Sequence, residues 1–126
     1  MMKFIVTKEF TFDSAHFLQD YNGKCENLHG HTYKLQVSVE GARDESGLVI
    51  DFVELKKIVN EKIIDKLDHT NLNDVLDVNP SAENIVEWIW NTLLPDFSTE
   101  RYYLYAVKLW ETPTSFAEFK NQGSDP

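Results

Sequence analysis

Cysteine is almost missing from this chain. Cys25 stands alone, so no intrachain disulfide can staple the fold. Basic residues are scarce too, and the formal net charge is −9. No Lys/Arg cluster stands out, and an acidic surface repels phosphate backbones, so no nucleic-acid partner is expected. The apolar runs are too short to span a bilayer, and no membrane partner is expected. Residues 1–8 lack the long apolar core of a secretion signal. A reducing, cytoplasmic setting is the expectation. Repeats, low-complexity tracts and Pro/Gly/Ser-rich linkers are also lacking. With 126 residues the chain has the size of one domain, expected over residues 1–120. Residues 121–126 have no apolar anchor and are expected to fray.

What the chain does have is clear hydrophobic periodicity. Phe4, Val6, Phe10 and Phe12 share one parity, which predicts a strand over 4–12. Residues 31–40 alternate more cleanly, with Tyr33, Leu35, Val37 and Val39 on the apolar side. Asp51 is placed to cap a helix over 52–66, with Glu54 three positions on and an apolar stripe of Phe52, Leu55, Val59 and Ile63. Leu67 to Asn79 reads as an Asp/Asn-rich loop. Pro80 and Ser81 open a second helix through Ile85, Trp88, Ile89, Thr92 and Leu93, and Pro95 ends it. Residues 101–111 alternate through Tyr103, Tyr105, Val107 and Leu109, and a short strand is expected near 115–119. The order ββααββ predicts an α+β domain, a four-stranded antiparallel sheet with two helices on one face.

Three of the four histidines cluster near predicted strand ends. In His29-Gly30-His31 the two imidazoles are two positions apart, so an extended chain points both the same way. His31 shares parity with Tyr33 and Leu35, which turns the pair toward the protected face. His16 follows the first strand, and antiparallel pairing of the first two strands could bring it beside them. Three imidazoles with one open position are the pattern of catalytic zinc, which acidifies a bound water or polarises a substrate oxygen. Cys25, four residues before His29, has three readings: an inert buried thiol, a fourth ligand closing a structural site, or a thiolate base beside an open one. His69 next to Asp68 is either a proton shuttle or part of a solvated turn. Glu111 ends an apolar strand. It either faces solvent or meets an N–H-rich edge of a heterocycle, because a carboxylate on a protected face needs a partner.

Four segments, in order, carry a resemblance: Phe12-Asp13-Ser14-Ala15-His16, Cys25-Glu26-Asn27-Leu28-His29-Gly30-His31, Leu67-Asp68-His69-Thr70-Asn71-Leu72-Asn73 and Trp110-Glu111-Thr112. Together they resemble the 6-pyruvoyl-tetrahydropterin synthase superfamily, over about residues 4–119. The Cys-x-x-x-His-Gly-His spacing looks like the bacterial 6-carboxy-tetrahydropterin synthase branch. The resemblance implies the tunnelling fold, whose sheets join into a barrel in a homo-oligomer that is trimer-based and in some cases hexameric. It implies a zinc-dependent carbon–carbon lyase that converts 7,8-dihydroneopterin triphosphate to 6-carboxytetrahydropterin, acetaldehyde and triphosphate in queuosine biosynthesis. The alternatives are a pyruvoyl-forming synthase on the same substrate and a non-catalytic module stabilised by zinc. Carried onto this sequence, the resemblance gives His16, His29 and His31 the zinc ion. Cys25 becomes the base, His69 oriented by Asp68 the proton relay, and Glu111 the anchor of the pterin ring, counted also with the relay. Ser81 and Glu83, in Pro80-Ser81-Ala82-Glu83, would touch the pterin from a neighbouring subunit, although Ala82 lacks the hydroxyl the family often carries there.

Overall fold

The computed structural model describes residues 1–19 and 27–123. Its frame is a five-stranded sheet in which the third strand of the chain lies at one edge, followed by the first, second, fourth and fifth. Strand β1 (Phe4–His16) pairs antiparallel with β2 (His29–Gly41) along its whole length, from Phe4 opposite Gly41 to His16 opposite His29. Strand β4 (Tyr102–Thr112) lies antiparallel on the other side of β2, and β5 (Ser115–Lys120) lies antiparallel beside β4. The β2–β4 ladder begins only at Lys34 opposite Trp110, so residues 29–33 of β2 are laddered on the β1 side alone. Gly41 ends β2 where a side chain would collide with the Arg101 carbonyl.

Helix α1 (Phe52–Val59) starts at Asp51, whose carboxylate accepts the Val53 N–H at 2.8 Å. It continues through one widened π turn (Asn60–Ile64) into the short α2 (Asp65–Leu67). Leu55, Val59, Ile63 and Leu67, four apart, are fully buried. Phe52, expected in that stripe, is 49% exposed. It occupies the first helical position, one step before the stripe meets the sheet. Helix α4 (Ala82–Leu93) is capped by Ser81, whose hydroxyl accepts the Asn84 N–H at 3.1 Å, and it buries Ile85, Val86, Ile89 and Leu93. These side chains form one core with Phe10, Phe12, Tyr33, Leu35, Val37, Leu104, Val107 and Leu109. The helices therefore cover one face of the sheet, and the expected α+β class stands.

Three expectations are corrected. The sheet has a fifth strand, because Thr70–Asn71 (β3) runs parallel beside Ser14 and Ala15. The segment 67–79 is not only loop, for a single helical turn, α3 (Leu72–Val75), follows β3. Third, the parity of β4 breaks. Ser38 opposes Ala106 but Val39 opposes Leu104, leaving Tyr105 as the extra residue of a bulge. Val107 and Leu109 face the core as predicted, while beyond the bulge Leu104 replaces Tyr103 and Tyr105 there. At the other end, Asn121 is tied to the sheet, its N–H donating to the Tyr105 carbonyl at 2.7 Å.

Candidate metal centre

Regular alternation on two paired strands builds the site. Even positions of β1 and odd positions of β2 face the helices, which puts Phe12, Ser14 and His16 beside Tyr33, His31 and His29. His16 and His29 are direct cross-strand partners, the arrangement in which facing side chains come closest. The three imidazoles meet edge to face. Ring centroids are 4.8 Å apart for His16–His29, 5.0 Å for His16–His31 and 4.8 Å for His29–His31, with interplanar angles of 68°, 83° and 85°. One nitrogen from each ring falls within 4.8 Å of the others.

The surroundings fix which nitrogens face inward. Nδ1 of His16 lies 2.8 Å from the Pro80 carbonyl, and Nδ1 of His29 lies 2.8 Å from the Asn27 carbonyl. A carbonyl can only accept, so each Nδ1 carries a hydrogen and Nε2 is the nitrogen left to bind a metal ion. Tyr33 sits beneath the cluster with its hydroxyl 3.2 Å from His16 Nδ1. Burial pushes the Tyr33 phenol well above its ordinary value, with the nearby Glu111 charge adding to the rise, so the hydroxyl stays protonated. Neutral imidazoles with oriented lone pairs and second partners are what a divalent transition ion needs, and the donor set fits zinc.

Glu111 approaches from β4, its Oε2 3.6 Å from His16 Nε2. It is 29% exposed, against 2% for the His16 side chain. A cavity of about 520 Å³ opens beside them where β2 and β4 diverge, lined by Gly30, His31, Lys34, Trp110 and Glu111 among others. A Cβ on Gly30 would meet only the Ser14 carbonyl, at 3.7 Å, so the glycine leaves space rather than relieving a clash.

His69 and Asp68 form a second cluster. His69 Nδ1 is 3.0 Å from Asp68 Oδ2. The peptide of Asp13 clamps both residues, its N–H donating to Asp68 Oδ1 at 2.9 Å and its carbonyl accepting from the His69 N–H at 2.6 Å. The Asp13 hydrogen bond, first, and the His69 charge hold the Asp68 carboxyl below its ordinary value of 3.8. His69 takes a φ of 59°, left-handed backbone that few side chains adopt. The Asp13 carboxylate accepts from Thr32 Oγ1 at 2.6 Å and lies on the exposed face, opposite to the histidine rings.

The structure therefore brings His16, His29, His31 and Glu111 together and pairs Asp68 with His69, but keeps the two groups apart. Ser81 serves as the helix cap next to Pro80, and Glu83 is exposed, lining a groove between α4 and β5. Cys25 and Lys24 lie outside the described residues. Asp13, Tyr33, Pro80 and Asn27 carry no signal in their residue types. Two asparagines do, since the loop is rich in them. Asn73 clasps Phe17 through its N–H and carbonyl at 2.9 and 3.0 Å, and Asn79 clasps Gln19 at 2.8 and 3.2 Å, guiding the chain away from His16.

The layered sheet and converging imidazoles define an α+β domain with a three-histidine candidate metal centre. A family model described as 6-pyruvoyl tetrahydropterin synthase matches residues 5–122, and the chain belongs to that family. A relative from Haemophilus influenzae named 6-carboxy-5,6,7,8-tetrahydropterin synthase is 40% identical over 142 aligned positions, covering 93% of this chain and 99% of the relative. A 6-pyruvoyl tetrahydrobiopterin synthase from Dictyostelium discoideum is 37% identical over 94% of this chain and 96% of its own. Among solved structures, 6-pyruvoyl tetrahydropterin synthase of Caenorhabditis elegans superposes with a TM-score of 0.83 at 27% identity, covering 97% of this chain and 98% of that one.

Proposed function

We propose that the chain is a zinc-dependent 6-carboxy-5,6,7,8-tetrahydropterin synthase, a lyase that takes 7,8-dihydroneopterin triphosphate and one water to 6-carboxytetrahydropterin, acetaldehyde and triphosphate. The convergence of His16, His29 and His31 within 4.8 Å, beside Glu111 at the edge of a cavity, carries this reading. The Haemophilus influenzae relative supports the carboxy outcome. His16, His29 and His31 would hold zinc, which when bound supplies Lewis acidity toward the hydroxyls of the substrate side chain. Glu111 accepts N–H hydrogen bonds from the pterin edge and sets the side chain against the histidine cluster. Cys25 removes a proton as thiolate, and His69, held by Asp68, returns or relays protons from the opposite side. A redox-neutral elimination needs both removal and return of protons, hence two groups.

Within one chain the sheet separates the histidine cluster from the Asp68–His69 pair. The relay of one copy therefore serves the centre of another, and the working protein is a homo-oligomer, built on trimers, with Ser81 and Glu83 offered across the same contact. A cytoplasmic place in queuosine biosynthesis completes the reading. The test is to incubate the purified zinc-loaded protein with dihydroneopterin triphosphate. Acetaldehyde and triphosphate in equal amounts are expected. A pyruvoyl pterin without acetaldehyde would overturn the carboxy outcome in favour of the activity named for the Dictyostelium relative. Replacing Cys25 by Ala should leave zinc content intact while turnover falls by about two to four orders of magnitude. Joint loss of zinc and folding would instead make the site a structural one.

A further inference from the structure

The sheet face turned away from the helices carries basic and aromatic side chains that the chemistry above leaves unused. Lys34 and Trp110 oppose each other at the first rung of the β2–β4 ladder. The Lys34 ammonium lies 4.8 Å from the Trp110 ring centroid, and the Lys108 ammonium lies 4.6 Å from it. Lys108 also stands 4.1 Å over Phe116 on β5. One indole thus gathers two ammonium groups, and the electron-rich ring faces offset their mutual repulsion. This is unusual company in a chain of net charge −9.

Neither charge is fully neutralised. Lys34 lies 3.5 Å from Glu9 Oε1, but both side chains are about half exposed, at 45% and 51%, and Glu9 also accepts a hydrogen bond from Gln36. Lys108 has no ion-pair partner among the described residues, although Glu118 stands opposite it in register. Lys34 and Trp110 line the same cavity as His31 and Glu111. The cavity lining therefore joins the Glu111 carboxylate and the His31 imidazole to the Lys34 ammonium, and Lys108 stands next to that lining over the Trp110 ring.

We infer that Lys34 at the rim of this cavity, with Lys108 gathered beside it on Trp110, forms an anion subsite that takes the polyphosphate tail of the substrate. The inference rests on the reading that the cavity receives a phosphorylated pterin. A tail of several negative charges approaching an acidic protein needs local cations, and ammonium groups held in place lose little freedom on binding it. The pterin head meets the acceptor Glu111 while the tail meets donors, which fixes the direction of the substrate.

Calorimetric titration of the zinc-loaded protein with inorganic triphosphate tests this apart from turnover, with zinc measured before and after because triphosphate itself binds zinc. The wild type should bind saturably and more weakly as salt rises. The double variant Lys34→Met/Lys108→Met should bind about tenfold more weakly or worse, and Lys34→Arg/Lys108→Arg should keep most of the affinity. Titration with 6-carboxypterin in parallel should give equal binding to wild type and Met variant. A wild type that ignores triphosphate, a Met variant that binds it as tightly, or an equal loss of both ligands would each overturn the inference. Absence of acetaldehyde would instead count against the reaction assigned above, whatever the triphosphate titration gives.

Discussion

Asp13 and His16 lie three residues apart on β1 and point to opposite faces of the sheet. His16 faces the helices with His29 and His31, while Asp13 is exposed and clusters with Asp68 and His69. Strand alternation alone enforces this split. This split makes the proposed sharing of work between copies of the chain measurable.

Variants that break opposite halves should rescue each other. His16→Ala and His69→Ala should each be nearly inactive. Co-expressed in equal amounts, they should regain about a quarter of wild-type activity, because random pairing leaves that share of sites with an intact centre and an intact relay. A mixture as inactive as its components would show that each chain works alone.

Removing one imidazole should empty the centre. His29→Ala should drop bound zinc from about one per chain to a small fraction, and chelation of the wild type should lower its melting temperature toward that of the variant. Metal analysis beside thermal melts checks both. An unchanged zinc content would mean that the remaining donors suffice.

Tyr33 stacks on Phe12 at a centroid distance of 5.0 Å, with its hydroxyl turned to His16. Tyr33→Phe keeps the stacking and deletes the hydroxyl. Stability should fall by about 1 kcal/mol in urea unfolding, and zinc affinity by roughly tenfold in chelator competition, because the support behind His16 is weakened.

The Asp68 carboxyl titrates below 3.8 in the folded protein. A depressed carboxylate stabilises the fold above its unfolded value, and that contribution disappears as pH falls through the lower folded value. The difference in melting temperature between wild type and Asp68→Asn should therefore be full near neutrality and shrink below about pH 4. A difference that grows in acid would contradict the hydrogen bond from Asp13.

Much of the site was legible because it depends on alternation. His29 and His31 share a face by spacing alone, and the caps at Asp51 and Ser81 follow from residue type. The partnership of His16 with His29 depends on register, which a single sequence suggests but does not fix. The β4 bulge is harder still. Tyr103 and Tyr105 continue the apolar parity of Val107 and Leu109, and only pairing with β2 reveals the extra residue. Strand β3 escapes because two residues carry no period. Asp13 clamps Asp68 and His69 through its backbone N–H and carbonyl, and Pro80 meets His16 through its carbonyl, so residue type does not announce these contacts.

The backward-bent peptide at His69 shapes how its chemistry can be probed. A valine there would lose the imidazole and also strain the corner that holds Asp68, mixing two injuries in one measurement. Asparagine enters that backbone region readily. His69→Asn therefore subtracts the proton carrier with the corner left standing, and the gap between the two variants measures what the bend itself is worth.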